Sequence, residues 1–163
     1  MPSIIIYAII LVTLYATKKR TQYKVKYLLE FVLVTYVVTL VIITGVGSFR
    51  FENIIETFNN GYFQYKLIPF IGMSIKMFIL NTMLFMPIGF LLPCVFIGRI
   101  HLKSTFIITA ILSSIIEFLQ IFIGRFVEID DVIANILGGM IGFLIWESCK
   151  HIYNKICKAK RNN

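Results

Sequence analysis

The sequence predicts an all-α integral membrane protein: a bundle of about five transmembrane helices, with a short interfacial helix in the loop between spans two and three. Three observations carry that prediction. Of the 163 residues, 58% are hydrophobic and only 15% charged, with a mean hydropathy of +0.85, more apolar surface than a soluble domain of this size could hide. Several apolar runs approach or exceed the roughly 20 residues that cross a bilayer. Twelve of the 16 lysines and arginines gather beside those runs, in segments 18–26, 99–103 and 150–161.

The net charge of +8 raises the question of a nucleic-acid partner, but no nucleic-acid motif accompanies it. Basic residues flanking apolar runs orient spans and touch anionic lipid instead. Cys94, Cys149 and Cys157 are too few and too scattered for a disulfide framework. They read as packing residues towards the cytoplasmic side, with reversible acylation as the lesser alternative. Residues 1–163 read as a single polytopic membrane domain without a soluble module or internal repeat.

The first apolar run, Ile4 to Ala16, is short; Pro2 opens it and Lys18, Lys19 and Arg20 close it. No basic flank precedes it and no small-residue cleavage site follows, so it is expected to be an uncleaved span. The second run extends from Tyr27 to about Val46. A polar interval follows, in which Phe51, Ile54, Ile55 and Phe58 recur at helical spacing opposite Arg50, Glu52, Asn53 and Glu56. This is the candidate interfacial helix, an ordered loop being the alternative. The third run, Ile71 to Ile97, contains Lys76, Asn81, Pro87, Gly89 and Pro93. Pro87 cannot bond the Met83 carbonyl, so a kink is expected there. The fourth run spans Ser104 to Ile123. The fifth spans Val132 to about Ser148 and ends in the basic tail 149–163. By the positive-inside rule the N-terminus is expected outside and the C-terminus in the cytoplasm.

On this topology the costly residues collect in one place. Glu117 and Gln120 share a face of the fourth span, which Thr109 and Ser113 continue. Asp131 and Asn135 are four apart, and Arg125, Glu128 and Asp130 lie in the turn between spans. Acids and amides in so oily a chain are candidates for function by default. Asn81, Glu117, Gln120, Arg125, Asp130, Asp131 and Asn135 are therefore expected to outline a polar pocket in the outer half of the bilayer, open to the outside. The alternative is that the amides only bond helices together. Glu117 is expected to face protein or water, as an ion paired with Arg125 or Lys76 or as the neutral acid. Gly138 and Gly142 form a small-residue face that admits another helix closely, within the chain or from a second copy in a homo-oligomer. No metal-ligand spacing is present, and His101 and His151 lie on the cytoplasmic side, so neither a metal nor a cofactor is expected.

Four motifs in fixed order carry a resemblance. They are L-I-P-F at Leu67–Phe70, N-x-x-L-F-x-P-x-G-F-L-L-P from Asn81 to Pro93, E-x-x-Q at Glu117–Gln120, and G-R-x-x-x-I-D-D-V-I-x-N-x-x-G-G from Gly124 to Gly139. Together, over about residues 66–146, the chain resembles the VanZ-like family. That resemblance implies a bacterial membrane protein whose name-giving relatives raise resistance to the glycopeptide teicoplanin without altering the peptidoglycan precursor. It implies a phenotype more than a reaction. Lys66 stands where members often carry Asn, and Glu128 where Asp is usual.

The expected function is therefore non-enzymatic: an outward-facing protein that reduces the effect of a lipid-tailed glycopeptide. In it Arg125 supplies a donor fork for carboxylate or phosphate, and Glu128, Asp130 and Asp131 meet ammonium groups. The expected partners are membrane lipids and a lipoglycopeptide or lipid-linked envelope precursor, with no nucleic acid. One alternative is an intramembrane enzyme acting on a lipid-linked envelope substrate, with Glu117 as base and Asp130 or Asp131 as its partner. The other is an accessory subunit of a transport or envelope complex.

Overall fold

Four long apolar helices dominate the computed structural model, which describes residues 21–46, 52, 54, 55, 59, 61, 65–123 and 125–161. In chain order the elements are α1 (Thr21–Ile43), the strand β1 (Tyr65–Lys66), α2 (Ile75–Val95), α3 (Leu102–Ile121), the strand β2 (Val127–Glu128) and α4 (Ile129–Arg161). The 21 residues of α2 and the 20 of α3 cover roughly 30 Å at about 1.5 Å each, the thickness of a hydrocarbon core. All four helices are long and apolar enough to cross a membrane. The first expected span, Ile4 to Ala16, lies outside the described residues, as does most of the candidate interfacial helix, including Phe51 and Phe58.

Burial in this bundle is inverted relative to a water-soluble one. On α3 the buried positions include Thr105, Thr109, Ser113, Glu117 and Gln120, while Phe106, Ile107, Ile111, Ile115 and Phe118 are exposed. A polar seam inside and a bulky apolar surface outside is the pattern of a helix whose solvent is lipid. The interior apolar core is small. Leu33 and Leu40 of α1 pack with Phe85, Ile88 and Leu92 of α2 and Ile116 of α3, and the Tyr36 hydroxyl donates to the Leu84 carbonyl at 2.7 Å.

The α2–α4 contact is closer still, because glycine permits it. A β-carbon at Gly138 would collide with the Thr82 carbonyl, and one at Gly142 with the Met86 carbonyl. Backbones brought this near gain dispersion contacts that lipid chains cannot match. The Gly138–Gly142 face is thus filled by α2 of the same chain, and the contact these glycines make is internal. Helix α2 stays helical through both Pro87 and Pro93.

With 33 residues, α4 is longer than a bilayer requires, and its last turns, including Lys155, Lys158 and Lys160, are exposed. Near the transition the Lys150 ammonium lies 4.9 Å from the centre of the Trp146 ring, an aromatic–cation pair of the kind found where helices leave the membrane.

At the opposite end, the C-terminal ends of α1 and α3 meet the N-terminal ends of α2 and α4. There β1 pairs in parallel with β2, Tyr65 opposite Val127 and Lys66 opposite Glu128. Strands of two residues carry no periodicity, so nothing in the sequence pattern announces them.

Candidate functional site

The polar residues of α3 and α4 divide at this end of the bundle into two neighbouring constructions, one closed and one open. The closed one is centred on Asp130, whose side is only 1% exposed. Its Oδ1 accepts the Phe70 backbone N–H at 2.8 Å, and its Oδ2 accepts from Lys66 Nζ at 3.2 Å. Lys66 also lies 3.7 Å from Glu128 Oε2. The clamp holds the Leu67–Phe70 segment against the start of α4. It does so although Phe70 has φ of 65°, a left-handed conformation that costs a non-glycine residue roughly 1–2 kcal/mol. Asp130 and Asp131 together also place negative charge in the first turn of α4, where the helix dipole favours it.

The open construction is a cavity of about 260 Å³ lined by Thr44, Asn81, Leu84, Ile116, Glu117, Gln120, Arg125, Asp131 and Asn135, among others. Six of the seven residues expected to share a pocket thus surround one space. The seventh, Asp130, does not line it. Successive residues on a helix point about 100° apart, so Asp130 turns to the Leu67–Phe70 loop when Asp131 turns to the cavity.

Inside the cavity the side chains are tied to the frame in specific ways. Gln120 Nε2 donates to the Thr44 carbonyl at 2.9 Å, and Arg125 Nη1 donates to that same oxygen at 2.8 Å. Thr44 follows the last residue of α1, where helix carbonyls lack intrahelical donors, so the two side chains fasten the end of α1 to the α3–α4 turn. Glu117, 5% exposed, accepts the Glu128 backbone N–H at 3.3 Å through Oε2. Asn135 Nδ2 donates to Ser113 Oγ at 2.9 Å, bridging α4 to α3. The Asn81 side chain of α2 lies within electrostatic reach of Asp131.

This geometry bears on two expectations about charge. Glu117 forms no ion pair within 4 Å among the described residues; its contact is the Glu128 amide, and Lys76 is exposed. Arg125 gives one Nη1 N–H to Thr44, which leaves four of its five N–H groups for the expected donor fork. Glu117 and Asp131 do lie within electrostatic reach of Arg125, Glu128 and each other.

Thr44, Ser113 as a partner of Asn135, and the ion pairs of Lys66 were not singled out from sequence as parts of the site. A helix-end carbonyl has no residue-type signature, and Lys66 looked only like a departure from the family's usual Asn. Gly72, Ser74, Met77, Arg125, Phe126, Glu128 and Asp131 line a second, more superficial cavity of about 390 Å³ that shares Met77, Arg125 and Asp131 with the first. Among the described residues, no group of three or more His, Cys, Asp and Glu side chains is placed to hold a metal ion.

Residues 4–150 match the family model described as VanZ/LLP1. No curated protein and no solved structure matches the chain.

Proposed function

From the premise that the chain belongs to the VanZ/LLP1 family, as a multi-pass membrane protein, we propose that it reduces the effect of teicoplanin at the bacterial plasma membrane. In this reading the cavity end faces outwards and the basic C-terminal end of α4 faces the cytoplasm. The protein acts by binding, and the bound species is the polar group of the lipoglycopeptide or of an envelope lipid on which the drug depends. The observation that carries the reading is the convergence of Asn81, Glu117, Gln120, Arg125, Asp131 and Asn135 around one cavity, at one end of a bundle with apolar outer faces. Keeping two carboxylates there is costly in lipid and of no use to packing alone. At about 260 Å³ the cavity falls below the roughly 300–1,000 Å³ of drug-sized sites. It suits a head group or terminal substituent, with the rest of an amphiphile lying along the exposed apolar helices.

The test is susceptibility to teicoplanin and to vancomycin in strains with and without the gene. Protection against teicoplanin alone is expected. Glu117→Ala and Arg125→Ala are expected to lose it while the protein still accumulates in the membrane. Full protection from both variants would remove the cavity from the explanation.

A second reading has one observation in its favour: Glu117 and Asp131, from different helices, line the same cavity, as an acid and base acting on a lipid-linked envelope substrate would require. Mass spectra of envelope lipids with and without the protein separate the two. A new lipid species indicates chemistry, and an unchanged profile indicates binding.

A further inference from the structure

Part of the hydrogen-bonding capacity around the cavity is already used within the protein. Gln120 gives one amide N–H to Thr44 and Asn135 gives one to Ser113. Arg125, the one cation among the described residues that line the space, gives one Nη1 N–H to Thr44 and keeps its other donors. Acceptors also remain. Glu117 has Oε1 without a hydrogen bond among the described residues, since only Oε2 meets the Glu128 amide. Asp131 adds a second carboxylate to the same lining.

The independent sign of a missing ligand is Asn135. Its side chain is 4% exposed and lines the cavity, yet Oδ1 is buried with no hydrogen-bond partner. Buried polar atoms are nearly always satisfied, and an orphan costs about 1–3 kcal/mol. A ligand that donated to Oδ1 would recover that cost. It would also have to suit a lining with two carboxylates and one guanidinium, with the Glu128 carboxylate nearby. An anion fails both requirements, because it has no hydrogen to give Oδ1 and brings negative charge to a lining in which carboxylates outnumber the guanidinium. A primary ammonium group meets both, with three N–H donors and no acceptor on one compact cation, and its bonds to carboxylates are charge-assisted.

We infer that the cavity binds a primary ammonium group, held between Glu117 of α3 and Asp131 and Asn135 of α4. This rests on the reading of the cavity as a ligand site and narrows it to one chemistry. An aminated lipid head group or a soluble amine could each supply that group.

The experiment uses the purified full-length chain in phosphatidylglycerol nanodiscs, with thermal unfolding as readout, since a ligand that binds only the folded state raises Tm with concentration. Ethanolamine is expected to raise Tm saturably, whereas choline, which lacks N–H donors, and inorganic phosphate are not. Asp131→Asn and Glu117→Gln are each expected to weaken the ethanolamine response at least tenfold; if one of them fails to fold, the other still decides. A flat ethanolamine titration, an equal response to choline, or an undiminished response in the folded variants would overturn the assignment. Nanodiscs containing phosphatidylethanolamine separate the sources. A higher starting Tm with a blunted ethanolamine response indicates the lipid, and an unchanged titration indicates a soluble amine. Drug susceptibility is read separately: loss of protection in Glu117→Ala with no ammonium binding would sink this inference and leave the functional reading standing. Ammonium binding without any teicoplanin effect would do the reverse.

Discussion

Asp130 and Asp131 are neighbours in the chain and have opposite fates. Asp130 is saturated: one oxygen takes the Phe70 N–H, the other takes Lys66, and almost no surface is left. Asp131 is half-buried, within electrostatic reach of the Asn81 side chain and open to two adjoining cavities. A charged residue in a membrane protein needs a reason, and these two supply different ones. The first carboxylate is consumed in holding a loop with a left-handed Phe70. The second keeps unused capacity next to Glu117 and the orphaned Asn135 oxygen. In the proposed reading the clamp belongs to the scaffold and the cavity to function, although both are built from the same Ile-Asp-Asp stretch.

The comparison is sharpest if substitutions on the two sides separate stability from activity. The largest effect is expected from Asp130→Ala, which removes the acceptor of both Lys66 and the Phe70 amide. The loss should be about 3 kcal/mol, since the Phe70 N–H is left without its acceptor and Lys66 keeps only Glu128, and thermal unfolding in detergent measures it. Next comes Gly142→Ala, whose added methyl meets the Met86 carbonyl; overpacking of this kind costs about 2 kcal/mol. It should lower Tm without changing the relative response to teicoplanin and vancomycin. Gln120→Ala should cost about 1 kcal/mol, because Arg125 still serves the Thr44 carbonyl and no orphan is created. The smallest stability change is expected for Asp131→Asn, within about 0.5 kcal/mol of the unsubstituted chain, together with loss of teicoplanin protection. An Asp131→Asn protein that melted as early as Asp130→Ala would erase the distinction between the two aspartates.

Much of this division was hidden in the sequence, for identifiable reasons. The spacing of Glu117 and Gln120, and of Asp131 and Asn135, correctly grouped each pair on one face, because helical periodicity is a local property. The turn residues escaped that logic. Asp130 was grouped with Asp131 by adjacency, and only the start of α4 shows that they point apart. Glu117 was expected either to pair with Arg125 or Lys76 or to be the neutral acid; its hydrogen bond comes from a backbone amide, which every residue carries. The Lys66–Asp130 pair joins positions 64 residues apart, and no pattern along the chain connects them.

The amino-acid sequence by itself determined that apolar helices would cross a membrane, which family they belong to, and which few polar residues were too costly to be incidental. Each of these follows from composition, short-range period or motif order. Only the tertiary structure decided which of those residues are spent and which remain available. That depends on where the free ends of four helices meet, and a hydrogen bond is used up only by the partner that folding brings to it.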